Sequence, residues 1–269
     1  MKPASFARLA RALQDGTGLA IGPGKLYLLE SRLRPLLLQH GLADLDALAA
    51  ELDRPNVELV RAVNEAMATT ETMFFRDGRP FDHVRLCALP RLHAARPPDA
   101  RLRIWSAAAS SGQEAYSLAM IVAELGPLLA GREVEIIGTD VSRVQLARAD
   151  VGAYGAFEMD RGLPAALRAR HFRREDSVWR ISPKLRAQVT FQEVNLLDDL
   201  RPLGLFDVIF CRNVLIYFDL PTKQLVLARV AQQLAPDGYL YLGGAEAMLG
   251  RNEWLIPVDE EHGVFQRAA

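Results

Sequence analysis

The chain has 269 residues, half of them hydrophobic, enough to bury one large core and a smaller one. A formal net charge of −1 gives no long-range pull toward nucleic acid or anionic lipid, so neither a nucleic-acid partner nor membrane insertion is expected. Cys87 and Cys211 sit in apolar contexts without a CxxC spacing, which reads as two reduced buried thiols and no metal site.

The opening Met1-Lys2-Pro3-Ala4-Ser5-Phe6 carries no signal-type apolar region, and no apolar run is long enough to span a bilayer, so a cytoplasmic location is expected. Residues 1–85 read as a helical N-terminal domain. Phe6, Leu9 and Leu13 form one stripe that stops at Asp15-Gly16-Thr17-Gly18, and Leu26, Leu29, Leu33 and Leu37 form a second. Asp44 caps a short helix through Leu45, Leu48 and Leu52. Pro55 suits the first turn of a fourth helix that buries Val60, Val63 and Met67. Lys25 and Arg32 stand a heptad apart, either as solvated flanks covering apolar surface or as a basic docking face. Loop chemistry follows at Thr69–Asp77. Residues 86–100 read as a linker helix, containing Pro90-Arg91-Leu92, and the connector Arg96-Pro97-Pro98-Asp99-Ala100.

From Arg101 to the end, over 101–269, strands and helices alternate. Strands are predicted at Leu102–Ser106, Val134–Asp140, Val189–Val194, Phe206–Cys211 and Gly238–Gly243. The last follows a helix over Thr222–Leu234 and a turn at Pro236-Asp237-Gly238, and a hairpin uses Trp254–Val258 and Gly263–Gln266. The fold class is therefore α/β, a mostly parallel doubly wound sheet covered by helices on both faces. One stretch breaks the rhythm. Residues 160–187 contain Val178-Trp179-Arg180-Ile181-Ser182, which alternates like a strand, so a small antiparallel β insertion is expected there.

The most informative segment is Ile104-Trp105-Ser106-Ala107-Ala108-Ala109-Ser110-Ser111-Gly112-Gln113-Glu114-Ala115-Tyr116-Ser117. An apolar strand runs into small residues, and a helix follows. Side chains as small as that of Ala108 let a ligand lie against the backbone at the positive end of the new helix. The neighbouring strand ends at Asp140, where such folds grip a ribose diol; the alternative is an N-cap, with Asp140 or Ser142 opening the next helix, and both can hold. Asn195 offers an amide suited to an adenine edge, or simply forms a turn. With Arg212 and Asn213, three successive strand ends carry polar groups toward one crevice, which points to a nucleoside-bearing cofactor.

Five blocks then carry a family resemblance: Thr70-Glu71-Thr72-Met73-Phe74-Phe75-Arg76, Trp105–Ser117, Gly138-Thr139-Asp140, Asn195-Leu196-Leu197, and Phe210-Cys211-Arg212-Asn213-Val214-Leu215-Ile216-Tyr217-Phe218. Across nearly its whole length the chain resembles the CheR-type chemoreceptor glutamate O-methyltransferases. The resemblance implies a Rossmann-like S-adenosylmethionine-dependent methyltransferase domain behind the helical domain, with S-adenosylhomocysteine as product. It implies that Thr72 and Arg76 close over the methionine end of the cofactor, that Glu114 takes its ammonium and Asp140 its ribose, that Asn195 and Leu196 hold the adenine, and that Arg212 and Asn213 form the floor. Arg76 would pair with the methionine carboxylate or steer the substrate carboxylate, and Tyr217 and Arg91 would stand on the substrate side. Thr70 stands where members commonly have Asn, shortening or removing one cofactor contact. The insertion's Phe172-Arg173-Arg174-Glu175-Asp176-Ser177-Val178 lacks the longer glycine-bearing loop of members that grip a receptor's C-terminal tether. The implied partner is the cytoplasmic coiled coil of a chemoreceptor-type protein, without the tether. A non-catalytic module binding the same nucleoside is the competing reading. Base methylases are disfavoured because Asn213-Val214-Leu215-Ile216 replaces their Asn/Asp-Pro-Pro-aromatic run.

Overall fold

Leucine spacing organises the first seventy residues. The computed structural model describes residues 1–54, 56–250, 252–258 and 263–268, which divide into two units: Met1–Thr69 with Ile216–Leu225, and Thr70–Leu215 with the chain from Val226 on. In the first, helices α1 (Pro3–Thr17), α2 (Leu26–Gln39), α3 (Leu45–Glu51) and α4 (Val57–Met67) bury Leu9, Leu13, Leu29, Leu33, Leu48, Val63 and Met67 together. Gly18 ends α1 in the left-handed conformation, with its N–H donating to the Gln14 carbonyl. The Asp44 carboxylate caps α3 through Ala47 N–H at 2.8 Å, and Asn56 caps α4 through Leu59 N–H at 3.0 Å. Pro55, expected in that first turn, lies outside the described residues. Leu59 takes the inward place expected for Val60, because 59, 63 and 67 recur every four residues on one face and 60 is turned about 100° away. Leu19 bridges Phe218, Ala20 N–H donates to the Tyr217 carbonyl at 3.0 Å, and Gln14 donates to the Asp219 carboxylate at 2.7 Å.

The basic face expected from Lys25 and Arg32 does not form as such. Lys25 belongs to a single 3₁₀ turn before α2, whereas the Arg32 guanidinium donates to the last carbonyls of α4, Met67 at 2.6 Å and Ala68 at 3.3 Å. A cation at a helix C-terminus satisfies acceptors that have no partner inside the helix.

The second unit begins with α5 (Arg79–His83), which runs through a π-helical turn at Val84–Ala88 into α6 (Leu89–Ala95). There follow β1 (Leu102–Ala107), α7 (Gln113–Glu124), α8 (Gly126–Leu129), β2 (Val134–Asp140) and α9 (Arg143–Val151). The insertion comprises β3 (Ala153–Gly155), α10 (Ala156–Asp160), α11 (Ala165–His171), β4 (Phe172–Glu175), β5 (Val178–Ile181) and α12 (Pro183–Arg186). The chain returns through β6 (Val189–Glu193), β7 (Phe206–Cys211), α13 (Leu220–Gln232), β8 (Leu234–Leu242), β9 (Leu255–Pro257) and β10 (Val264–Arg267).

The main sheet has the order β6-β2-β1-β7-β8-β10-β9, parallel from β6 to β8 and antiparallel at the hairpin edge. Phe81, Val84, Ala88, Leu89 and Leu92 are buried in the core built on this sheet, so the helices over 79–95 pack with it and a boundary at 85 would cut through them. The expected turn at Pro236-Asp237-Gly238 is a bulged part of β8. Its register against β7 shifts between Phe206 and Val208, and Arg96 pairs with Asp207 and Asp237, both at 2.5 Å. The small sheet, β3-β5-β4, is antiparallel and starts at Ala153, earlier than expected, because three residues are too few to display an alternation. Phe74 packs edge-on against Tyr154 and Phe172, with ring centroids 5.1 and 5.5 Å away. Among the described residues no helix is long and apolar enough to cross a membrane. Arg32→Met is expected to lower the unfolding free energy by about 1–2 kcal/mol in urea titrations and Lys25→Met to leave it unchanged; equal midpoints would remove the capping role.

Candidate active site

Strand order reverses at β1: the chain steps outward to β2 and β6, then returns on the other side as β7. The carboxyl ends of β1, β2 and β7 therefore open into a crevice that no crossover helix covers. Ala107 and Cys211 are paired there, one residue before the loops that matter.

The loop 108–112 folds back over β2, with Ala109 N–H donating to the Thr139 carbonyl at 2.8 Å. Ala108, Ser110 and Gly112 all take positive φ (57°, 49° and 91°), a strained path that brings main chain to the surface of the crevice. The Asp140 carboxylate holds it there, one oxygen accepting Ser110 N–H and the other Ser142 N–H, both at 2.9 Å. Ser142 is the cap of α9, accepting Gln145 N–H, so Asp140 acts between two loops rather than as the cap. Ser110 Oγ donates to the Thr70 carbonyl at 2.9 Å, and Tyr154 donates its hydroxyl to the Ser111 carbonyl at 2.8 Å.

Glu114, in the first turn of α7, accepts Ser106 Oγ–H at 2.8 Å and faces Arg212 Nη1 at 3.3 Å. Burial holds its carboxyl above the usual carboxylate range, and the Arg212 charge opposes that rise without cancelling it. Arg212 is buried to 1 % exposure; its Nη2 donates to Asp77 at 2.5 Å and to the Arg76 carbonyl at 3.1 Å. Its Nε has no protein acceptor. Ser117 Oγ accepts Phe75 N–H at 3.0 Å, so the strip 70–77 is pinned to α7 as well as to the end of β7. The Arg76 guanidinium donates to the Glu71 carbonyl at 3.2 Å, and Thr72 is half-buried within the same strip.

Asn195 forms the turn, its Oδ1 accepting Leu197 N–H at 3.0 Å; Leu196 beside it is buried. Val194 N–H donates to the Asp140 carbonyl, which keeps this turn at the same sheet end. Asn213 follows Arg212 with φ 58°. One run of bonds thus joins Thr70, Ser110 and Asp140, and a second joins Glu114, Arg212 and the Arg76 carbonyl, at the same end of the sheet.

Comparison with known proteins fits this arrangement. The model for the CheR methyltransferase SAM-binding domain matches residues 70–264, and that for the CheR methyltransferase all-alpha domain matches residues 4–67. Chemotaxis protein methyltransferase 1 of Pseudomonas aeruginosa is 40% identical over 271 residues, covering 98% of both chains. The chain belongs to the CheR methyltransferase family. Chemotaxis protein methyltransferase Cher2 of Pseudomonas putida is 38% identical, covering 98% of this chain and 97% of its own. Chemotaxis protein methyltransferase of Vibrio parahaemolyticus is 39% identical, covering 91% and 90%. As a CheR protein this is an S-adenosylmethionine-dependent methyltransferase.

The residues present fit that nucleoside. A backbone-lined turn of small side chains, a partly exposed anion at Glu114, an acceptor at Asp140 and an unused buried donor at Arg212 Nε match its ribose, ammonium and carboxylate groups. Arg91 and Tyr217 are the residues expected on the substrate side. Arg91 is exposed on α6, fourteen residues beyond Asp77 along a helical path, about 20 Å at 1.5 Å per residue, and faces the Tyr239 hydroxyl well below the ends of the strands. Tyr217 belongs to the helical unit, where its carbonyl accepts Ala20 N–H at 3.0 Å. Sequence reasoning missed Ser106, Asp77 and Ser117. Ser106 was legible as a polar residue in an apolar strand, eight before Glu114; Asp77 and Ser117 carry no local signal and join the site only through Arg212 and Phe75. Arg212→Met should cost about 3–5 kcal/mol in chemical denaturation, because Glu114 would keep a buried charge without its partner; a loss below about 1 kcal/mol would show the pair to be dispensable.

Proposed function

We propose that this chain methylates glutamate side chains in the cytoplasmic coiled coil of a chemoreceptor-type protein, forming glutamyl methyl esters from within the cytoplasm. The observation that carries this is the pair of hydrogen-bonded runs, Thr70–Ser110–Asp140 and Glu114–Arg212–Arg76, both tied to the strip 70–77 at the switch point of a CheR sheet. When bound, S-adenosylmethionine supplies a methyl group on a cationic sulfonium that an anionic oxygen displaces. Glu114 would hold the ammonium, Asp140 the ribose, Asn195 and Leu196 the adenine, and Ala108, Thr70, Thr72, Arg212 and Asn213 the remaining walls. Arg76 would orient the incoming carboxylate or the cofactor's own. Tyr217, four residues after Asn213 in the chain, is assigned to the substrate on sequence grounds alone.

A glutamate carboxylate with a reference pKa near 4.3 is already ionised at neutral pH, so no general base is needed. Attack neutralises two opposite charges, so a water-poor crevice favours the transition state over the hydrated ions. Alignment supplies a further large share, up to about 7–11 kcal/mol for well-oriented reactants. The groups holding the nucleophile must orient it without pairing too tightly, since strong ground-state binding would raise the barrier. The two-residue turn at Asp176-Ser177 between β4 and β5 supports docking without a C-terminal tether.

Incubation with methyl-labelled cofactor and receptor cytoplasmic fragments, followed by mild alkali, is expected to release volatile methanol; alkali-stable label would overturn the ester. A second outcome follows from Glu114. A cofactor ammonium beside this carboxyl lowers the pKa that burial has raised, so protons leave on binding wherever pH lies between the bound and free values. Affinity for S-adenosylhomocysteine should therefore rise with pH through the weakly acidic range. Calorimetry in buffers of different ionisation enthalpy should show proton release there, absent in Glu114→Gln; uptake instead of release would remove Glu114 from the ammonium site.

A further inference from the structure

We propose that Glu246 is a positioning residue that sets the crevice floor by holding Asn213 in its left-handed backbone conformation. The proposal rests on the reading of Asn213 as a cofactor contact. Glu246 lies in the 3₁₀ segment Gly244–Gly250 that follows β8 and is fully buried. One oxygen, Oε2, accepts Asn213 N–H and Gly243 N–H, each at 2.8 Å. Its own N–H donates to the Gly243 carbonyl at 2.8 Å, so the acid and Gly243 hold each other.

The Gly243 N–H is the first, and the Asn213 N–H the second, beyond the β7–β8 ladder, whose last pair is Cys211 and Leu242. There the sheet offers no further carbonyl, and buried donors must find another acceptor. A single side-chain oxygen serves both, which fixes the peptide plane between Arg212 and Asn213. That plane decides where the buried Arg212 guanidinium leaves β7 and where the Asn213 amide points. Asn213 has φ 58°, a conformation that asparagine tolerates but does not seek, so something must hold it. Packing agrees with this. A Cβ at Gly243 would stand 2.6 Å from Glu246 Oε2 and 3.0 Å from Asn213 Nδ2, so both polar groups occupy space that only a missing side chain leaves. Glu246 is therefore placed to act on ligand through Asn213 rather than by touching it.

The test is a double-mutant cycle on the full chain, read as S-adenosylhomocysteine affinity by calorimetry at a temperature where circular dichroism shows all variants folded. Glu246→Gln keeps the shape and removes the charge, and is expected to weaken binding about tenfold. Asn213→Gly removes the amide while tolerating the left-handed backbone, and the double variant should bind no worse than Asn213→Gly alone. A merely structural glutamate would lower thermal stability without this coupling. Losses that multiply, or a Glu246→Gln variant that binds like the wild type, overturn the proposal while leaving the cofactor reading intact. Absence of binding by the wild type overturns both. Should Glu246→Gln fail to fold, Gly243→Ala takes its place in the cycle, since the added methyl would displace the same carboxylate; the same non-additivity is expected and multiplying losses count against it.

Discussion

A guanidinium shut away from water at the end of β7 organises the crevice at the strand ends. Burying a charge is costly unless it is paired, and for Arg212 the partners come from distant stretches of chain. Glu114 opens α7, Asp77 and the Arg76 carbonyl close the strip 70–77, and the rings of Phe81 and Phe210 lie 5.7 and 5.9 Å from the guanidinium carbon. Because the partners cannot be met unless those stretches come together, the pairing selects one arrangement of loops. It also explains why Glu114 keeps an elevated pKa: burial outweighs a partner that is shared with Asp77.

The antiparallel insertion is fastened to the same region by other means. Tyr154 of β3 and Phe172 of β4 clasp Phe74 between them, and Tyr154 also reaches the Ser111 carbonyl through its hydroxyl. Arg161 pairs with Glu71 at 3.0 Å, and Glu158 accepts from Gln113 at 3.1 Å. The small sheet, the strip 70–77 and the loop 108–112 therefore form one packed body. A force applied to the hairpin reaches the backbone that lines the crevice without crossing solvent.

Much of this was legible in the residues. Asp44 as a cap, Gly18 as a stop, and the strands Val134–Asp140 and Phe206–Cys211 carry local signals that the structure obeys. Polar strand ends at Asp140, Arg212 and Asn213 marked the crevice because switch-point chemistry depends on chain order, which sequence displays directly. What escaped depends on contacts between segments far apart. Arg32 looks like any solvated cation until the carbonyls of Met67 and Ala68 are seen beside it, and Arg91 looks close to the motif until the helix carries it away. The bulge that absorbs Pro236 and Asp237 into β8 needs the Arg96 fork to hold it, and no window of sequence contains both.

Seven non-glycine residues among those described take a positive φ, and five of them, Phe75, Asp77, Ala108, Ser110 and Asn213, border the crevice. Each such conformation costs of order 1 kcal/mol or more, so this enzyme gives up robustness around the crevice proposed as its active site. Laboratory selection for heat resistance would first find replacements at these very turns, and would harvest a sturdier protein with a poorer catalyst inside it.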